Sequence, residues 1–261
     1  MSTNTGYRQV AQLVGALALL AAAVLPGHAL VQPTGIDPEA EKLLKASMTY
    51  LAAQKRFGVT VRTTIEAVLK TGQKLQFDNA GELLVQRPNK LRAERHGELV
   101  DQVFYYDGKS LTLYNPEQSY YATVDAPPTL EAMLDYARSK LDVIAPAGDL
   151  LYANAYETLM QDTTSGFVVG KSMIEGVRCD HLAFRNPDVD WQIWVQEGKQ
   201  PLPRKFVITT KDVAGSPEFS IVMTKWNLAP KLSDRMFVFT PSKGAKKIEF
   251  LPLEKSTVPS K

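Results

Sequence analysis

The chain has 261 residues, of which 44% are hydrophobic, 22% charged and 9% aromatic, a globular composition that excludes wholesale disorder, collagen and a multi-span membrane protein. Lys and Arg number 30 against 28 Asp and Glu, a net charge of +2, so no basic excess points to nucleic acid as a partner. A lone cysteine, Cys179, excludes an intramolecular disulfide and a cysteine-built zinc site.

Residues 10–25 form an almost unbroken run of Ala, Leu and Val behind one positive charge, Arg8. The run is shorter than the roughly 20 residues of a bilayer-spanning helix. Pro26 ends it, and Gly27-His28-Ala29 supplies the small residues that signal peptidase needs for cleavage after Ala29. The pattern predicts a secretory signal peptide over 1–29, with an uncleaved N-terminal anchor as the alternative. No cysteine stands at the cleavage point to accept a lipid. A mature chain starting at Leu30 would be soluble in the periplasm, with one domain over 30–252 and a disordered tail over 253–261.

Asp37-Pro38-Glu39 has the chemistry of a helix start: a capping carboxylate, Pro at the first helical position and an acid facing the helix dipole. Leu43, Leu44, Met48, Leu51 and Ala52 follow at helical spacing, as far as about Lys55. The period then switches to two. From Phe57 to Leu69 the odd positions read Phe, Val, Val, Thr, Ile, Ala, Leu, with mostly polar residues between them, which predicts one long strand with one apolar face. Further strands are predicted near 74–78, 82–87, 90–96, 101–106, 110–115 and 119–124. The turns between them are expected at Thr71-Gly72, Asn79-Ala80-Gly81, Pro88-Asn89, Asp107-Gly108 and Asn115-Pro116.

Pro127-Pro128 stops this meander, and two helices are predicted, over 129–140 with Thr129 as N-cap and over 149–161. A second series of strands is predicted near 166–174, 177–185, 190–196, 204–211, 218–227, 236–240 and 246–250. The order helix, meander, helix pair, meander predicts an α+β fold, in which one antiparallel sheet, too long to stay flat, curls around the helices.

Three stretches resemble the LolA/LolB-type periplasmic carrier superfamily. Gly81-Glu82-Leu83-Leu84-Val85-Gln86-Arg87-Pro88-Asn89-Lys90-Leu91-Arg92 is similar to its strand–turn–strand segment around an Arg-Pro turn. Asp107-Gly108-Lys109-Ser110-Leu111-Thr112-Leu113-Tyr114-Asn115-Pro116 is similar to its next hairpin, and Phe237-Val238-Phe239-Thr240-Pro241-Ser242-Lys243-Gly244-Ala245 to its closing strand. In the last, Ser242 stands where a second Pro is usual. Within this group the chain is most similar to a bacterial family of uncharacterised predicted periplasmic proteins, through Val177-Arg178-Cys179-Asp180-His181-Leu182 and Leu202-Pro203-Arg204-Lys205-Phe206. The resemblance implies an unclosed β-barrel whose concave face receives acyl chains beneath a helical cover.

On that expectation the cavity wall comprises Phe57, Val59, Val61, Ile65, Leu75, Phe77, Leu83, Val85, Tyr105, Trp191, Phe206 and Phe219, all at inward-type strand positions. A filled core is the competing reading of the same aromatics. The lid would be met by Arg87, Leu130, Met133 and Leu134. The resemblance assigns Arg87 a bond to the lid, whereas its position on a hairpin equally suits a solvated charge. Cys179 and His181 share a strand face about 6.6 Å apart, too far for a nucleophile–base hydrogen bond, which favours a packed pair. Asp188 and Asp190 flank a turn, and turn chemistry accounts for them better than a glycosidase pair does. Gly-x-Ser-x-Gly, His-Glu-x-x-His, Walker A and Gly-x-Gly-x-x-Gly are absent from the sequence, so no enzyme and no cofactor is expected. Two functions remain: a carrier of a hydrophobic small molecule, lipid or lipoprotein acyl chain, or a non-catalytic envelope module with a filled core and a protein partner. A ligand pocket of roughly 300 Å³ or more would favour the first.

Overall fold

A computed structural model of the chain describes residues 35–143 and 145–250. The expected signal peptide over 1–29 and the expected tail over 253–261 lie outside the described residues.

Helix α1, Pro38–Ala52, begins as its sequence dictates: the Asp37 side chain accepts from the Glu39 N–H at 2.9 Å, and Glu39 and Glu41 occupy the first turn. Ala40, Leu44, Met48 and Leu51 form its buried stripe, with Leu43 and Ala52 half-buried beside it.

Strand β1, Arg56–Val68, pairs at every position with β2, Lys74–Gln86, around the Thr71-Gly72 turn. The turn expected at Asn79-Ala80-Gly81 does not exist, and the strands expected over 74–78 and 82–87 are one. A thirteen-residue ladder with β1 outweighs the local turn preference of three residues. Gly81 has a different task in mid-strand: a Cβ there would lie 1.9 Å from the carbonyl oxygen of Glu94 on the next strand. The meander continues through β3 (Lys90–Gly97), β4 (Asp101–Tyr106), β5 (Ser110–Asn115) and β6 (Tyr120–Asp125), each antiparallel to the one before.

Helix α2, Leu130–Lys140, follows, capped by Thr129 Oγ1 accepting from the Ala132 N–H at 3.2 Å. The helix expected over 149–161 is broken. A 3-10 turn, Gly148–Leu151, gives way to extended backbone at Tyr152 before the short helix α3, Ala155–Met160. Tertiary bonds account for the break. The Tyr152 hydroxyl donates to Asp135 at 2.6 Å and the Ala153 N–H to Glu131 at 2.9 Å, so the segment is pinned to α2 instead of winding on.

The second meander is β7 (Ser165–Ile174), β8 (Val177–Arg185), β9 (Val189–Gln196), β10 (Pro203–Thr210) and β11 (Glu218–Asn227). β11 returns to pair antiparallel with β1, joining both meanders into one sheet. The strand expected over 236–240 is a 3-10 turn, Asp234–Phe237, followed by unpaired chain. Phe239 packs there against Tyr105, Tyr114 and Tyr121, with ring centroids 4.7–5.5 Å apart. Side-chain packing across the back of the sheet thus replaces a ladder. Of the strand expected over 246–250 only β12, Lys246–Lys247, forms, parallel to β6. The twelve strands run β12-β6-β5-β4-β3-β2-β1-β11-β10-β9-β8-β7, a mixed sheet that does not close.

The inner face of this sheet and the helices share one core. α1 contributes Leu44, Met48 and Leu51, α2 contributes Leu130 and Met133, and the strands contribute Phe57, Leu182, Ile193 and Phe206.

Candidate functional site

The inner row of each strand follows from register. Val59 stands opposite Leu83, Leu83 opposite Ala93, and Ala93 opposite Phe104, which fixes the inward face from β1 to β4. On the other side of β1, Val61 stands opposite Met223 and Thr63 opposite Ile221. Over these strands lie α2, Val143 and the segment 145–151, and between them is a cavity of about 210 Å³. Phe57, Val59, Val61, Leu83, Ala93, Phe104, Ile221 and Met223 line it from the sheet, and Met133, Leu134, Ala137, Leu150 and Leu151 from the cover.

Of the expected wall, Phe57, Val59, Val61, Leu83 and Phe219 line this cavity, as do Met133 and Leu134 of the expected lid contacts. The others stand elsewhere. Val85 on β2 and Leu130 at the start of α2 are fully buried in the core. Trp191 stacks on Phe184 at 4.2 Å and tilts against Phe206 at 5.9 Å, in the half of the sheet that α1 covers, so both fill core. Ile65, Leu75 and Phe77 face inward but lie past the cavity, half-buried toward the far ends of β1 and β2. Tyr105 is on the opposite face of the sheet, beside Arg92 and Phe239. Leu91, Ala93 and Phe104 were not expected at the wall, although Leu91 and Ala93 alternate on β3 and would have been found by extending the count from β2.

The cover is tied down at one hairpin. Arg87, at the end of β2, donates from Nη1 to the Leu151 carbonyl at 2.6 Å and lies 3.9 Å from Glu131. Pro88, joined to Arg87 by a cis peptide bond, accepts from the Leu130 N–H at 3.0 Å. Two successive residues of the turn therefore hold the start of α2 and the 3-10 turn after it. Burial lowers the Arg87 pKa, Glu131 partly opposing, and Nε and Nη2 of the same guanidinium are buried without partners.

Two tyrosines fasten the cover further. The Tyr106 hydroxyl donates to the Pro127 carbonyl ahead of α2, and the Tyr156 hydroxyl of α3 donates to Glu41 of α1 at 2.6 Å. Burial, with Asp107 nearby, pushes Tyr106 up to about 12, and the bond to Glu41 pushes Tyr156 up to about 12. Both groups bind their proton more tightly in the folded chain than at the unfolded value near 10. Their contribution is therefore complete below about pH 10 and is lost as pH rises toward 12. Thermal melts should fall through that window, and Tyr156→Phe should flatten part of the fall. An identical alkaline slope in that variant would remove Tyr156 from the account.

Elsewhere the titratable candidates are occupied structurally. Cys179 is fully buried on the convex face with Trp194 and Val207, and burial pushes its thiol up to about 11. His181 stacks on Trp194 with centroids 4.0 Å apart, bonds Gln192 at 2.9 Å, and is held below its ordinary pKa by burial. Asp190 takes two bonds from Arg185, at 2.7 and 2.8 Å, which lower its pKa, while Asn186 Oδ1 caps the turn by accepting from Asp188 and Val189. Among the described residues, no group of three His, Cys, Asp or Glu is placed to hold a metal ion.

An unclosed curled sheet with an apolar hollow beneath tethered helices is an α+β architecture of the unclosed-barrel kind. Residues 40–251 match the family described as predicted periplasmic protein DUF2092, and the chain belongs to that family. Comparison with curated proteins finds no match. Among solved structures, the lipoprotein LppX of Mycobacterium tuberculosis is similar at 14% identity and a TM-score of 0.49, covering 76% of this chain and 100% of its own. LprF of Mycobacterium bovis is similar at 14% identity and 0.47, covering 77% and 97%. A LolA superfamily protein of Nitrosomonas europaea is similar at 12% identity and 0.40, covering 77% and 97%.

Proposed function

We propose that the protein is a periplasmic carrier or binding protein for a lipid, a lipoprotein acyl chain or another hydrophobic molecule, held between the sheet and its helical cover. One observation carries this reading: the cavity of about 210 Å³ is lined mainly by apolar side chains, and part of its wall is a segment tethered by few bonds. Apolar surface entering such a hollow gains about 25 cal/mol for each Å² removed from water. The volume falls short of the roughly 300 Å³ expected of a ligand pocket, so the apolar lining and not the size supports this reading, and larger cargo requires the cover to move. In this reading the mature chain starts at Leu30, is soluble, and has the helices within 129–161 as its lid. No catalytic step enters.

The half of the concave face filled by α1, Trp191 and Phe206 favours the second reading, a structural or interaction module of the envelope that binds a protein partner and no ligand. Titration of the mature protein with an apolar fluorophore separates the two. The carrier reading expects saturable one-to-one binding and, in native mass spectra, a co-purified apolar ligand. Unsaturable binding together with a ligand-free mass would leave the module.

A further inference from the structure

The cavity wall is mostly apolar, and its polar side chains include Thr63, Asn79 and Arg95 on three adjacent strands. Thr63 of β1 stands opposite Asn79 of β2, and Arg95 of β3 stands opposite Gln102 of β4. Gly81, bracketed by the pairs Leu83 with Ala93 and Ala80 with His96, faces Arg95 with no side chain of its own. Thr63, Asn79 and Arg95 all line the cavity. Thr63 and Asn79 thus form one cross-strand row, Arg95 stands diagonally from Asn79 in the adjacent row with Gly81 and Val61, and the row after that, Val59, Leu83, Ala93 and Phe104, is apolar.

Arg95 is under-satisfied. Its Nη2 donates to Gln102 at 2.7 Å, its Nε is buried without a partner, and among the described residues no carboxylate forms an ion pair with it. Two carboxylates belong to the same wall. Glu94 directs its own at Arg92, 2.5 Å away, and at His96, 3.6 Å away, while Glu82 is exposed. Neither neutralises the guanidinium. Asn79 Oδ1 is likewise buried and unpartnered, on an amide that can offer either oxygen or nitrogen to a ligand. A cation held this way is costly unless something completes its hydrogen bonds, and a guanidinium fork is shaped for a carboxylate or phosphate.

We propose that the cavity takes a single-chain amphiphile whose tail lies on the apolar wall and whose anionic head, a carboxylate or a phosphate ester, is received by Arg95 beside Asn79. The proposal rests on the carrier reading and adds the class of cargo to it.

Calorimetric titration of the mature protein with dodecanoate, dodecyl phosphate and dodecan-1-ol, each below its micelle concentration, tests it. At least one anion should bind about tenfold tighter than the alcohol, the effect of one or two charge-assisted hydrogen bonds, and the better anion names the head group. Arg95→Gln should lower that anion to the level of the alcohol without weakening the alcohol, and Arg95→Lys should restore part of the difference. Equal binding of all three by the wild type, or a preference that survives Arg95→Gln, would overturn the head-group assignment and leave the carrier intact. Binding of none of the three would overturn both. Melting curves verify that the variants fold; should Arg95→Gln unfold, the order of the three ligands on the wild type decides alone.

Discussion

Arg87→Leu should loosen the cover and leave the sheet intact. The substitution removes the donor of the 2.6 Å bond to the Leu151 carbonyl and the cation facing Glu131. A bond from a charged donor is worth about 1.5–3 kcal/mol, and the carbonyl left behind loses its partner. That loss falls on residues 148–160, because Leu151 is in the 3-10 turn that precedes α3. The ladder between β1 and β2 runs through backbone bonds that Arg87 does not make. Global stability should change less than the local term, since a partly unsatisfied, mostly buried guanidinium is itself costly and its removal offsets part of the loss. Hydrogen exchange reads the difference directly. Amides of 148–160 should exchange about 10- to 100-fold faster, the factor that corresponds to the bond energy, while those of β1 and β2 keep their protection. Equal acceleration in cover and sheet would mean that the cover does not open on its own, and the lid would fall with it.

Where a pattern was long or its chemistry local, the sequence was legible. β1 is announced by thirteen residues of alternation, and α1 by a capping Asp, a Pro and an apolar stripe. Asn79-Ala80-Gly81 has turn chemistry but forms no turn, because turn residues carry a preference that a long ladder overrides. Gly81 serves close approach instead: it is the place where the Glu94 carbonyl and the Arg95 backbone nitrogen crowd the strand. The helix over 149–161 failed for the opposite reason, since its breakage depends on Asp135 and Glu131 of another element, which no local window contains.

The site was legible in part, and its errors follow from what alternation encodes. Period two assigns a residue to a face but not to what lies over that face. Trp191 and Phe206 do point inward, yet α1 covers them, whereas Val59 and Leu83 point inward beneath the hollow. For Tyr105 even the face was ambiguous, because Val103, Phe104, Tyr105 and Tyr106 are all apolar or aromatic and offer no parity. Tyr106 resolves it by facing inward and bonding the Pro127 carbonyl, which turns Tyr105 out. Arg95 is not legible as a cavity residue because it is a charge at the third position of an otherwise apolar inner row, Leu91, Ala93, Arg95, where polarity suggests solvent. Only the register with Gln102 and the glycine opposite turn it into a feature of the cavity.

Ala93→Phe should abolish ligand binding without harming the fold. Ala93 is half-buried, stands between Leu83 and Phe104 in the row that crosses the cavity, and is the smallest side chain in that row. A phenyl group there projects into a hollow of about 210 Å³. Filling an existing void commonly stabilises a protein by about 0.5–2 kcal/mol, whereas forcing a ring into a packed core costs about 1–3 kcal/mol. The melting temperature therefore reports whether the space is real: it should hold or rise. A bound apolar chain deprived of about 100 Å² of burial loses about 2.5 kcal/mol, a drop in affinity of more than 50-fold. Ala137→Leu fills the same space from α2 and should reproduce the effect from the other wall. Retained probe binding in both variants would place the ligand outside the cavity. A fall in melting temperature of many degrees in both would mean that the hollow closes in solution, and the carrier reading would lose the observation that supports it.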